Sequence, residues 1–181
     1  MSMTDERGFS LIELLVFIVV VGIAVTGVVS VYSLNARSSA DPMVRKQAAA
    51  IAESLLEEVL AKPYSYCDPD DANAETASSP AGCATMAETA MVAEAGETRS
   101  GLTPFDNVND YHGFSMAGIA DLTGAPVAGL GGYSAAVQVQ PAGAFNGIPA
   151  GETLLVTVTV SGPGNHTVSL SGYRTRYAPN I

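Results

Sequence analysis

Hydrophobic and polar positions divide the chain into stretches of different period. After a short polar start, MSMTDERG at residues 1–8, the 23 residues from Leu14 to Ala36 carry no charge and are dominated by Val, Ile and Leu. As a helix this run rises about 34 Å at about 1.5 Å per residue, enough to cross a hydrocarbon core of about 30 Å. Beyond it the apolar positions thin to a stripe. Val44, Ala48, Ile51, Leu55 and Val59 recur at spacings of four, three, four and four, the period of one helical face. Lys46, Glu53 and Glu57 lie off that stripe, where a solvated face would be. Pro42 is expected to bend this helix or restart it, since proline suits a first helical turn. Lys62-Pro63 is expected to end it. The pattern predicts one long N-terminal helix, apolar all round and then amphipathic.

Residues 63–132 are rich in Ala, Gly, Asp, Asn and Pro and show little periodicity. They read as a long loop region with a short helix near Ala84–Ala95. Three strand-like runs follow, Tyr133–Gln140, Thr153–Ser161 and His166–Tyr177, rich in β-branched and aromatic residues. In the second, Leu154, Val156, Val158 and Val160 alternate with Leu155, Thr157, Thr159 and Ser161, a period of two that marks a sheet with one packed face. Gly162-Pro163-Gly164-Asn165 is a hairpin turn signal. Helix first and antiparallel meander after it predict an α+β fold. A sheet this small needs the amphipathic helix to cover its apolar face.

The chain has 181 residues, 48% hydrophobic and 14% charged, with a formal charge of −10. Soluble domains average nearer a quarter charged, so one modest domain plus an unusually apolar segment fits these values. The acidic balance argues against nucleic acid as a partner, which needs clustered Lys and Arg. Two cysteines, Cys67 and Cys83, lie in a polar, loop-like stretch and read as a disulfide formed in an oxidising compartment. No metal centre is expected, because His112 and His166 stand at no zinc spacing from them. A cleavable secretory signal would have an apolar region of about 7–15 residues after a basic start. Here Ser38-Ser39-Ala40 offers a small-residue cleavage site, but the run is too long, and Asp5 and Glu6 outweigh Arg7.

Gly8-Phe9-Ser10-Leu11-Ile12-Glu13 opens the apolar run. This segment resembles the processing site of type IV prepilins and type II secretion pseudopilins. The resemblance implies that a prepilin peptidase cuts a polar leader after Gly8 and that Phe9 becomes an N-methylated terminus. Glu13 then stands fifth in the mature chain, and Arg7 beside Gly8 fits the basic residue common in such leaders. Each letter alone is weak, but leader length, Gly-Phe, the glutamate and the uninterrupted span together are specific. Ala40-Asp41-Pro42 through Glu58, Tyr66-Cys67-Asp68-Pro69-Asp70-Asp71 and Phe105 to Gly113 also resemble minor pilins of the mannose-sensitive haemagglutinin (MSHA) type. Major pilins usually carry a proline in the membrane half of the helix. Here Ser30 and its neighbours supply none, and only Gly22 and Gly27 weaken it.

The resemblance implies the following organisation: a leader at 1–8, a pilin helix at 9–62 (transmembrane 9–36, amphipathic 37–62) and an outward-facing globular domain at 63–181. It implies a structural subunit rather than an enzyme, with no cofactor. Its partners would be the peptidase, an inner-membrane assembly platform, the membrane and other pilins. Localisation would be the inner membrane before assembly and the pilus or cell surface after it. The positive-inside count disagrees, since Arg37, Arg45 and Lys46 follow the span and only Arg7 precedes it. The cysteine pair and the cytoplasmic action of this family's peptidase outweigh that count. A pseudopilin is the nearest competitor, and a membrane-anchored periplasmic binding domain that never polymerises is the competitor of another class.

Elementary energetics gives Glu13 a role of its own. A carboxylate in an apolar span costs about 2.5–3.5 kcal/mol at mid-membrane and less near the interface. Cleavage before Phe9 would place an α-amino cation one helical turn away, so the Glu13 of one subunit can neutralise the Phe9 ammonium of its neighbour. A glutamate reaching to interfacial water is the plainer reading.

Other groups carry less. Asp68, Asp70, Asp71, Asn73 and Glu75 offer hard oxygen ligands of the kind Ca²⁺ takes, yet they fit no EF-hand template and read as a solvated acidic loop. The same holds for Asp106, Asn107, Asn109 and Asp110. Tyr111-His112-Gly113-Phe114 reads as an aromatic anchor of a loop to its own core. The glycines at 118, 124, 129, 131 and 132 lack the context of a phosphate cradle, and Asn165-His166-Thr167 is a sequon that a bacterial pilin would not ordinarily use. Two isolated histidines assemble no catalytic triad.

Overall fold

The computed structural model describes residues 10–144 and 146–176, without the side chains of residues 35–41. The chain divides into two compact units, Met1–Pro42 and Met43–Ile181. Helix α1 spans Leu11–Leu60. The expected restart at Pro42 does not occur: the helix continues with this proline inside it. Proline removes one ladder bond and costs about 3 kcal/mol, which long helical stretches on both sides offset.

In the second unit the apolar stripe of α1 is the buried face, as its period predicts. Ala48, Ile51, Ala52, Leu55 and Val59 are buried, Val44 packs against them partly covered, and Lys46, Glu53 and Glu57 are exposed. The helix closes with Ala61 N–H on the Glu57 carbonyl and Lys62 N–H on the Val59 carbonyl. Pro63 follows, which disfavours helical geometry at Lys62.

Four strands form an antiparallel meander in sequence order: β1 Ser115–Ala117, β2 Ser134–Pro141, β3 Thr153–Gly162 and β4 His166–Thr175. The register places Val137 opposite Val158, Val139 opposite Val156, and Leu170 opposite Val158 from the other side. Leu154, Val156, Val158 and Val160 are fully buried and share one core with Ala135, Val137, Val139 and the α1 stripe. The opposite face carries cross-strand hydroxyl pairs, Thr157–Ser171 and Thr159–Ser169 at 2.9 Å, of the kind that stabilise a solvated sheet face. Gly172 faces the helix, where an added Cβ would meet Leu60 Cδ1 at 2.8 Å. The turn between β3 and β4 needs two left-handed residues, Gly164 (φ 75°) and Asn165 (φ 61°), and glycine and asparagine adopt that region most readily.

Three expectations need correcting. The strands begin or end up to two residues from the expected limits, with Tyr133 outside β2 and β4 ending at Thr175. Strand β1 was not foreseen, because three residues after Gly113 and Phe114 show no period of their own. No helix forms at Ala84–Ala95. The backbone N–H groups of Ala84, Thr85 and Met86 instead donate to the Asp71 carboxylate at 2.8–2.9 Å, and Cys83 is bonded to Cys67. Cys67 and Ala87 also form an antiparallel bridge, with Asp68 N–H on the Met86 carbonyl and Glu88 N–H on the Tyr66 carbonyl, and this extended pairing excludes a helix there.

The long region 63–132 is irregular yet packed. Phe105, Val108, Tyr111 and Ile119 are buried in the common core, and the Phe105, Tyr111 and Phe114 rings meet edge-on at 4.9–6.2 Å. The aromatic group at 111–114 is thus a core anchor. At the other end, Arg176 stacks over Tyr64 at 3.9 Å and Tyr66 at 4.3 Å, holding the end of β4 to the start of the loop.

Candidate functional site

Gly8 and Phe9 lie outside the described residues. Glu13 stands in the first turn of α1, where the helix dipole favours an anion. From Leu11 to Leu34 the helix is long and apolar enough to cross a membrane, and none of this stretch is buried. Leu11 is 81% exposed and Ile23 70%. A helix apolar all round requires lipid or other apolar helices around it. Its hydroxyls are adapted to that setting. Thr26 Oγ1 donates to the Gly22 carbonyl at 2.8 Å and Ser30 Oγ to the Thr26 carbonyl at 2.9 Å, which satisfies both donors within the helix.

In the globular unit, Cys67 and Cys83 form a disulfide with Cα atoms 5.6 Å apart. Closing a 16-residue separation stabilises by about 3 kcal/mol in the chain-entropy model. Reduction of the purified chain should therefore lower its unfolding free energy by that amount, read as a lower denaturant midpoint, and non-reducing peptide maps should show the two peptides linked. Two free thiols in protein taken from the periplasm, or an unchanged midpoint on reduction, would remove the bridge from the stability of this loop.

Beside the bridge the carboxylates divide into two kinds. Asp71 is structural: backbone N–H groups of Met86, Thr85, Ala84 and Asn73 hold its carboxyl well below the ordinary range. Asp70, Asn73 and Glu75 are exposed. Asp68, by contrast, is buried and turns inward to meet Glu88, Glu94, Glu97 and Asp106, and Asp110 joins the cluster through Glu94 and Glu97. Burial, reinforced by the neighbouring carboxylates, pushes Glu88 and Glu97 up to about 8, Asp110 to about 7 and Asp106 to about 6. Asp68 is raised by the same cause. The acidic residues read from the sequence as one run near 70 and another near 108 are therefore sorted differently in space. Only Asp68, Asp106 and Asp110 of those runs join the cluster. Glu88, Glu94 and Glu97 complete it without any periodic or spacing signal.

A third group ties α1 to the long loop. Arg99 makes a bidentate pair with Glu58, Nε to Oε1 and Nη2 to Oε2, both at 2.7 Å. Tyr111 OH donates to Glu58 Oε1 at 2.8 Å, and Arg99 Nη1 donates to the Ala120 carbonyl at 3.0 Å.

Residues 3–29 match the family model for the prokaryotic N-terminal methylation motif. No curated protein and no solved structure matches the chain.

Proposed function

We propose that this chain, which bears the N-terminal motif of the type IV pilin and pseudopilin family, is a minor pilin. The observation that carries the proposal is that motif at residues 3–29 opening a helix whose span Leu11–Leu34 stands wholly exposed. In this reading residues 1–8 are a leader removed by prepilin peptidase, residues 9–62 are the pilin helix and residues 63–181 are the outward domain. The inner membrane holds the processed chain as a reservoir. An assembly platform then moves it into a filament, where apolar helices of neighbouring pilins replace lipid around it. The globular domain ends on the pilus surface.

Two features favour a minor subunit over a principal one. The membrane half of the helix has no proline among residues 14–36, and stretches near 66–71 and 105–113 are similar to MSHA-type minor pilins. A pseudopilin of type II secretion shares the same motif and the same processing.

N-terminal mass analysis of protein from sheared filaments tests the reading. The expected mature chain begins at Phe9 and carries a methylated amine. A start at Asp41 or an intact Met1 would overturn processing. A correctly processed chain that is absent from filaments and found only with a secretion apparatus would transfer it to the pseudopilins.

A further inference from the structure

We propose that Asp68, Glu88, Glu94, Glu97, Asp106 and Asp110 form a calcium site beneath the disulfide-bridged loop. The carboxylates fall into three overlapping triads: Asp68 with Glu88 and Glu94, Asp68 with Glu97 and Asp106, and Glu94 with Glu97 and Asp110. Within each triad one oxygen per residue lies within 4.8 Å of the others. Twice a calcium–oxygen distance is about 4.6–5.2 Å, so each triad has the span of ligands around one Ca²⁺ ion.

Acidic groups cluster in many proteins without an ion, and the buried oxygens distinguish this cluster. Asp110 is 1% exposed. Its Oδ2 accepts the N–H groups of Asp106 at 3.0 Å and Asn107 at 2.7 Å, while its Oδ1 is buried with no hydrogen-bond partner among the described residues. Glu88 repeats the arrangement, with Oε2 accepting from Asn109 Nδ2 and Oε1 buried and unpartnered. Asn109 is no acid, and it is buried too. Its Nδ2 is held by Glu88 and by the Ala90 carbonyl, and its Oδ1 is left buried without a partner. Glu94 Oε2, Glu97 Oε2 and Asp106 Oδ1 are also buried without a hydrogen-bond partner among the described residues. One oxygen tethered and the other free is how outer hydrogen bonds aim a metal ligand. Buried oxygens without donors are costly in a native chain, and a cation satisfies all of them at once.

The donor set chooses the ion. It is oxygen only and several-fold anionic, with neither imidazole nor thiolate, which disfavours zinc. Magnesium demands octahedral geometry at about 2.0–2.1 Å and keeps its waters, whereas calcium takes about 6–8 oxygens at longer, variable distances. Arg99, the nearby guanidinium on this loop, is already engaged by Glu58. An ion here would join Asp68 next to the disulfide, Glu88 to Glu97, and the turn at 106–110, three segments with little regular structure to hold them.

The test is calcium titration of the full chain in detergent micelles, after removal of metal with chelator. Isothermal calorimetry should show one or two Ca²⁺ bound, with Kd in the range of about 10⁻⁶–10⁻³ M. About 5 mM Ca²⁺ should raise Tm by at least about 3 °C, and by more at the tight end of that range, and the same concentration of Mg²⁺ should not. Glu94→Gln and Glu97→Gln keep the side-chain shape and remove one negative charge each, so both should fold without metal and bind Ca²⁺ at least about tenfold more weakly. Glu75→Gln, on the exposed part of the loop, should bind as the wild type does. No calcium heat and no Tm shift in the wild-type chain would show the cluster to be a set of shared protons only. An equal response to Mg²⁺, or undiminished binding by both Gln variants, would also overturn the site.

Discussion

Replacing Glu13 by Ala should leave the chain cleaved and membrane-inserted but nearly absent from filaments. The leader and the apolar span are untouched, and insertion becomes easier once a charge leaves the edge of an apolar helix. Assembly is where the loss appears. In the proposed filament the Phe9 ammonium of an incoming subunit enters a core of helices such as Leu11–Leu34, whose side chains are almost all hydrocarbon. Without a facing carboxylate that cation is buried alone. Removing one partner of a buried pair costs about 3–5 kcal/mol, which lowers incorporation by more than about a hundredfold. The ratio of this subunit in sheared filaments to that remaining in membranes measures the effect. A ratio equal to wild type would take Glu13 out of the mechanism. Glu13→Gln should behave like Ala, since the amide keeps the shape without the charge. Rescue by Gln would mean that hydrogen bonding, not ion pairing, is the operative interaction.

Glu58→Ala should destabilise the globular unit by about 3–5 kcal/mol. Glu58 and Arg99 are 15% and 10% exposed at their side chains, so the pair is largely removed from water. Truncation leaves the guanidinium bonded only to the Ala120 and Asp121 carbonyls, with the Phe114 ring at 5.8 Å and the Asp121 carboxylate as a nearby but unbonded counter-charge. It also strips the acceptor from Tyr111, a nearly fully buried residue. Replacing both partners by apolar residues, Glu58→Leu with Arg99→Met, should cost less than Glu58→Ala alone, because no uncompensated charge remains. Denaturant unfolding of the full chain in detergent, followed by tyrosine fluorescence, gives both values. A loss below about 1 kcal/mol for Glu58→Ala would mean that water already screens the pair.

Much of the architecture was legible because it rests on local period. Leu14 to Ala36 announces a span by composition alone. Val44 to Val59 announces a buried helical face at spacings of three and four, and Leu154 to Val160 announces a half-buried strand at a spacing of two. The turn at Gly164-Asn165 was legible for a similar reason, since few residues accept a left-handed backbone. The motif at Gly8 to Glu13 is equally local, a run of adjacent residues.

What only the tertiary structure decided lies between positions distant in sequence, where no period operates. The helix expected at Ala84–Ala95 fails because residues 86–88 pair in extended form with residues 66–68, about twenty positions upstream, through Asp68 N–H on the Met86 carbonyl and Glu88 N–H on the Tyr66 carbonyl. Glu58 lies beside the apolar stripe of α1 like any solvated glutamate, and Arg99, 41 residues away, makes it a buried anchor. Asp70 and Asp68 are near neighbours in one acidic run, yet one is solvated and the other enters a carboxylate cluster with Glu88 and Glu97. Alternation and helical spacing encode which face of an element is apolar. Pairing between irregular segments depends instead on how the chain closes on itself; in this protein the Glu58–Arg99 pair and the buried carboxylates were set by that closure, whereas the Cys67–Cys83 bridge was already legible as two cysteines in one polar stretch.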